Sequence, residues 1–272
     1  MKSTTQDPNH TTLAGERLLD QYVLEHSDDE PDYLYQLWRA TNVHMLHGRM
    51  ASGRLQGRLL KMFVEMIRPQ HILEVGTFSG YSALCMAEGL ANVYNLTQKA
   101  QKAQKYKTHT GEDDSHNTES AETFSDFSDF CETKNRQARV WTFEINDEQE
   151  PFTRKWIEQS PWADYVTFII GDAKEKAKEL GVKFDMAFLD GDKKTYVETY
   201  EAILPLMNPG AFILADNTLW DGHVIDPDYD RDHQTQGIRR FNDHIKNDPR
   251  VSRVILPLRD GLTIIRRMKN EE

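Results

Sequence analysis

The sequence predicts an α/β protein. The expected fold is a doubly wound, mostly parallel, seven-stranded sheet of Rossmann-like form, with helices on both faces and a C-terminal antiparallel hairpin. Three observations predict it. Five short apolar runs alternate with stretches of helical periodicity. The first run, His71-Ile-Leu-Glu-Val, breaks into Gly76 and Gly80 and then an alanine-rich amphipathic stretch, a strand, turn and helix in succession. Near the C-terminus, Val251 to Leu256 and Leu262 to Ile265 flank Asp260-Gly261, a hairpin signal.

Taken in order, residues 1–12 read as a loose polar tail and 13–272 as one domain. Cap helices open the domain over 13–68, with helical stretches at about 13–26 and 31–46 separated by His-Ser-Asp-Asp-Glu-Pro. Over 52–68 the spacing sets Leu55, Leu59, Met62, Phe63, Met66 and Ile67 on one helical face, and Pro69 ends the run. After the first strand and its helix, to about Leu90, the composition turns polar; residues 91–137 carry too little aliphatic surface to offset their ordering entropy and are expected to form a disordered insertion. Phe124, Phe127 and Phe130 inside it are read as scattered loop aromatics or a short docking element. Order returns with Ala138 to Glu144 as the second strand, Val166 to Ile170 as the third, Phe184 to Leu189 as the fourth and Ala211 to Ala215 as the fifth.

Composition narrows the function. A formal charge of −11 and a pI near 5.4 oppose binding to nucleic acid or an anionic membrane and favour a small-molecule substrate. Two cysteines, Cys85 and Cys131, make a disulfide framework improbable, and with no long apolar segment the protein is expected to be cytoplasmic.

In a doubly wound sheet, ligands gather at the carboxyl ends of the strands. Gly76 and Gly80 read as a cradle that lets a ligand approach the backbone, and Glu74 suits a ligand with a positive charge and hydroxyls. The spacing is Glu-x-Gly-x-x-x-Gly, so the dinucleotide fingerprint is missing and an NAD(P)-dependent oxidoreductase is disfavoured. A non-catalytic cofactor-binding or scaffold protein is the rival from another class. Glu144 ends the second strand, where an acid meets ribose hydroxyls. Asp172 and Ala173 follow the third and either line an adenine pocket or, for Asp172, cap a helix. The sharper signal is Phe-Leu-Asp190-Gly-Asp192-Lys193 at one strand end and Ala-Asp216-Asn217-Thr-Leu-Trp220 at the next. Two carboxylates and an amide oxygen with no cysteine or paired histidine nearby make a hard-oxygen site for Mg²⁺, Mn²⁺ or Ca²⁺. Lys193, three residues after Asp190, is a candidate general base whose pKa the metal charge should lower.

These stretches, with Leu-Glu-Val-Gly-Thr-Phe-Ser-Gly-Tyr-Ser and Leu-Arg-Asp-Gly-Leu, resemble the metal-dependent O-methyltransferases related to catechol O-methyltransferase and caffeoyl-CoA O-methyltransferase. The resemblance runs from about Tyr22 to Arg267, the polar insertion excluded, and the insertion is longer than that family leads one to expect. It implies S-adenosyl-L-methionine as cofactor and Asp190, Asp216 and Asn217 as ligands of a divalent cation, Mg²⁺ first. It places Glu74, Gly76, Thr77, Ser82, Glu144, Ala173 and Asp192 around the cofactor, with Ser52 as a further contact, and Trp220 and Asp221 at the substrate. It also implies a homodimer and a phenolic acceptor. Arg49, Arg54 and Arg58 could meet the phosphates of a coenzyme A thioester but read as solvated helix-face residues, so a free catechol is the expected acceptor.

Overall fold

The computed structural model describes residues 13–94 and 138–268. The polar tail, the insertion from residue 95 onward, its phenylalanine triplet and Cys131 lie outside the described residues. Helices α1 (Leu13–Glu25), α2 (Asp32–His44) and α3 (Arg54–Ile67) precede the sheet. The alternating part comprises β1 (His71–Val75), α4 (81–94), β2 (Arg139–Glu144), α5 (Glu150–Glu158), β3 (Val166–Ile170), the single turn α6 (Ala173–Lys176), β4 (Phe184–Leu189), α7 (Tyr196–Ile203) and β5 (Met207–Ala215). It closes with α8 (His233–Lys246), β6 (Val251–Leu256) and β7 (Leu262–Arg267). The seven strands lie in the order β3-β2-β1-β4-β5-β7-β6. The first five are parallel, and β7 runs antiparallel to both β5 and β6.

Burial on both faces explains why the central strands read as unbroken apolar runs. Side chains alternate across a strand. Ile72, Met186, Phe188 and Leu214 therefore pack with Leu60, Val64 and Leu84 in one core, while Leu73, Ala187, Leu189 and Ile213 pack with Tyr196, Tyr200, Ile238 and Phe241 in the other. Each fully buried Leu, Ile or Phe contributes about 1.5–3 kcal/mol. The order of strands puts β1 and β4 at the centre, so their carboxyl ends open between the two helical layers.

Three features differ from the sequence expectation. Helix α4 runs past Leu90, because Ala91 and Tyr94 continue its buried face. Strand β5 starts at Met207 rather than Ala211, with Gly210 at φ 87° and an irregularity in the register to β4 between Phe184 and Met186. The last hairpin closes through the five residues 257–261, between the strand ends the sequence indicates at Leu256 and Leu262, with Arg259 and Gly261 both at positive φ. Finally, α3 buries Gln56, Gly57, Leu60 and Val64, whereas Met62 and Met66 are 52% and 72% exposed. The buried stripe was disguised by its polar members. Arg58 is buried against Glu88 in a two-pronged ion pair, and Gln56 is engaged at the strand ends.

Candidate active site

A cavity of about 690 Å³ opens at the carboxyl ends of β1, β2, β3, β4 and β5. Of the residues singled out in the sequence, it brings together Gly76, Glu144, Asp172, Ala173, Asp190, Asp192, Lys193, Asp216, Asn217 and Trp220. Ser52, Glu74, Thr77, Ser82 and Asp221 do not line it.

The glycine turn follows β1 with Gly76 at φ 95° and Gly80 at φ 86°. A Cβ on Gly76 would lie 2.2 Å from the Asp190 carbonyl oxygen. The missing side chain therefore lets β1 and β4 come together at the cavity floor; ligand approach is not what demands it. Glu74 is 0% exposed, within β1. Its carboxyl accepts the Ser82 hydroxyl at 2.5 Å and that of Thr142, which also meets Thr77 at 2.6 Å. Burial pushes Glu74 up to about 8 despite those hydrogen bonds. Glu74, Thr77 and Ser82 thus form a polar brace beneath the turn, behind the cavity lining. Ser52 is buried off the cavity, and Asp221 is exposed in a left-handed kink, φ 56°, that turns it away from the lining.

Glu144 presents a held carboxylate: its two oxygens accept the backbone N–H groups of Phe78 at 2.8 Å and Asn146 at 2.9 Å. Each oxygen keeps a lone pair for a hydroxyl donor. Asp172 caps α6 by accepting the Lys174 N–H at 2.9 Å and also lines the cavity, so its two sequence readings coexist. Asp192 caps the next turn in the same way, accepting the Lys194 N–H.

The acids at the ends of β4 and β5 are the electrostatic centre. Asp216 is buried, and burial followed by the charge of Asp190 pushes its carboxyl up to about 6. Its Oδ1 accepts the Asn217 N–H at 2.9 Å and its Oδ2 accepts Gln56 Nε2 at 2.7 Å. Asn217 sits at φ 56° and donates its side-chain amide to Asp260 Oδ2 at 3.2 Å. That bond leaves the Asn217 amide oxygen as the atom free to act as a ligand. Asp260 is fixed in turn, its carbonyl accepting the N–H groups of Leu219 and Trp220. The hairpin loop is five residues long because it folds over the end of β5.

Lys193 is anchored between two partners. Its buried ammonium donates to Asp190 Oδ1 at 2.6 Å and to the Tyr196 hydroxyl at 2.8 Å. Burial alone would pull the lysine down, but Asp190 and Tyr196 outweigh it and hold the group above the ordinary lysine range. Asp190 and the Tyr196 hydroxyl thus fix where the ammonium sits. Tyr196, wholly buried, shares its own proton between the carbonyls of Leu189 and Asp216 and so ties the ends of β4 and β5 together.

Four residues here escaped the sequence reading: Gln56, Tyr196, Arg259 and Asp260. Only Gln56 left a signal, as a polar residue one and two turns ahead of Leu60 and Val64 on the buried face of α3. A second acidic group, Glu201, His244 and Asp248, has ligand atoms within 4.8 Å of one another. Arg250 already fills its centre, reaching Glu201 Oε1 at 2.6 Å and Asp248 Oδ2 at 2.7 Å, so the group is an ion-pair cluster joining α7, α8 and β6. Among the described residues, no helix is long and apolar enough to cross a membrane.

Comparison with known proteins places this geometry in context. A family model described as O-methyltransferase matches residues 24–111 and 117–268. Tricin synthase 1 of Oryza sativa subsp. japonica is 29% identical over 279 residues, covering 96% of this chain and 92% of that protein. Caffeoyl-CoA O-methyltransferase of Stellaria longipes is 25% identical over 270 residues, covering 95% and 93%. Among solved structures, the SAH-bound Podospora anserina methyltransferase PaMTH1 superposes with a TM-score of 0.73 at 24% identity, covering 99% of this chain and 100% of that one. The O-methyltransferase from Bacillus cereus in complex with SAH gives 0.70 at 25% identity, covering 92% and 97%.

Proposed function

The chain belongs to the O-methyltransferase family, and from that premise we propose that it moves a methyl group from S-adenosyl-L-methionine to one hydroxyl of a free vicinal diphenol, with a divalent cation held by Asp190, Asp216 and Asn217. The observation that carries it is the meeting of those three residues, with Gly76 and Glu144, on one cavity at the ends of adjacent strands. The donor set fits a hard cation such as Mg²⁺, Mn²⁺ or Ca²⁺: it is all oxygen, and burial, followed by the charge of Asp190, holds the Asp216 carboxyl up. When bound, the donor supplies an electrophilic methyl group and the cation supplies positive charge that makes a vicinal hydroxyl more acidic.

The chain's own residues do the rest. Glu144 accepts the ribose hydroxyls, and Asp172 and Ala173 flank the base, at the β2 and β3 ends of the cavity. Lys193 stands beside Asp190, and the charge of a cation held there would lower its pKa, so that its free amine would accept the acceptor's proton. Trp220 lines the cavity where an acceptor would enter, and the close-packed floor of Gly76 against Asp190 would limit the motion of a bound donor and acceptor. A coenzyme A thioester is disfavoured by the arginines: Arg58 is spent on Glu88 and Arg54 on Asp29, and of Arg49 and Arg259 at the cavity the latter is bonded to Gln56. Exposed apolar residues on α1 and α2, among them Leu18, Leu19 and Val43, support a homodimer.

A panel of free catechols and a caffeoyl thioester, assayed for methylated product by mass spectrometry with Mg²⁺ and with a chelator, tests the proposal. Free catechols are expected to be methylated only with Mg²⁺. At limiting Mg²⁺ the rate should rise as pH rises through about 6, because a proton on Asp216 competes with the cation below that value. Turnover that ignores the chelator, or a strict requirement for the thioester, overturns it.

A further inference from the structure

We propose that Gln56 is a positioning residue of the cation site, a relay on α3 that holds the Asp216 carboxylate in its ligating orientation and is itself locked by Arg259. Gln56 is 1% exposed, although it sits on a helix face otherwise given to Leu60 and Val64. Its Nε2 donates to Asp216 Oδ2 at 2.7 Å, and its Oε1 accepts Arg259 Nη1 at 2.7 Å. The two bonds fix the amide unambiguously. Rotating it by half a turn would set its oxygen against the carboxylate and its NH₂ against the guanidinium, two repulsions in place of two attractions.

The relay joins three segments that share no strand or turn: the cap helix α3, the end of β5, and the loop of the last hairpin. Asp216 cannot swing about its side-chain bonds, because Gln56 holds one oxygen and the Asn217 N–H the other. From the same loop, Asp260 orients Asn217. Both β5 ligands are therefore aimed from outside their own strand. Partners of this kind around a metal typically change its affinity by 10–100-fold.

The inference rests on the cation reading above, and the test separates the two. Mn²⁺ is titrated calorimetrically into wild-type protein, Gln56→Leu and Arg259→Gln, with S-adenosylhomocysteine titrated in parallel as a check on the fold of each variant. Wild type is expected to bind one Mn²⁺. Gln56→Leu should bind it at least about tenfold more weakly with S-adenosylhomocysteine affinity unchanged, and Arg259→Gln should weaken it by less. Methyl transfer lost by Gln56→Leu at limiting Mn²⁺ should return at high Mn²⁺, which a general loss of structure would not permit. Mn²⁺ affinity equal to wild type in a folded Gln56→Leu variant overturns the relay. Failure of wild type itself to take up Mn²⁺ overturns the cation assignment instead. Should Gln56→Leu not fold, Arg259→Gln decides: its side chain is on the exposed loop, and unchanged Mn²⁺ affinity there counts against the relay.

Discussion

Asp216→Ala is expected to cut methyl transfer by about a thousandfold or more while leaving S-adenosyl-L-methionine binding nearly intact. The magnitude follows from the acceptor. A phenol with a pKa near 10 is ionised to about one part in a thousand at pH 7, so losing the charge that acidifies it forfeits roughly that factor before any loss of alignment is counted. Asp216 lines the cavity beside Asp190 and Asn217, whereas Glu144 and Ala173 lie at the ends of other strands, so the cofactor end is spared. Folding should survive. The alanine strands the Gln56 amide, at about 1–3 kcal/mol, but also removes a buried carboxylate that Asp190 repels. Single-turnover kinetics and calorimetry with S-adenosylhomocysteine measure the two quantities separately, and a variant that loses cofactor affinity as well would show that the cation and cofactor positions have been confused.

Gly76→Ala attacks the same site through the backbone. A φ of 95° is strained for any residue with a Cβ, and that Cβ would fall 2.2 Å from the carbonyl oxygen of Asp190. The strands β1 and β4 pair through Val75 and Leu189 just before this point, so the overlap cannot be relieved by moving a flexible side chain. Overpacking of this kind and an enforced left-handed residue together cost about 3 kcal/mol or more. Urea unfolding should show that loss, with cofactor and cation affinity falling together, because the carbonyl that must move belongs to a cation ligand. Unchanged stability would mean that the turn is looser than its contacts indicate.

These two residues also show what could be read from the sequence. Gly76 was legible as a turn glycine, but its reason, the Asp190 carbonyl, lies more than a hundred residues away and has no local signature. The strand ends bearing Glu144, Asp190 and Asp216 were legible because buried parallel strands appear as apolar runs and their acids stand at the boundaries. Gln56 and Arg259 were not, since their partners are 160 and 203 residues distant in sequence. The setting of Glu74 was hidden for a related reason: its strand position reads as a ligand carboxylate, and the two hydroxyls that hold it in its buried place come from elsewhere in the chain. The early start of β5 escaped because its pairing with β4, not local turn chemistry, decides it.

Diffraction from crystals soaked in Mn²⁺ and S-adenosylhomocysteine, collected to record the anomalous signal of manganese, bears most directly on the central claim. One peak is expected at the ends of β4 and β5, about 2.0–2.6 Å from oxygens of Asp190, Asp216 and Asn217 and facing the cofactor sulfur. Manganese bound only at Glu201, His244 and Asp248, or absent from the strand ends altogether, would contradict it.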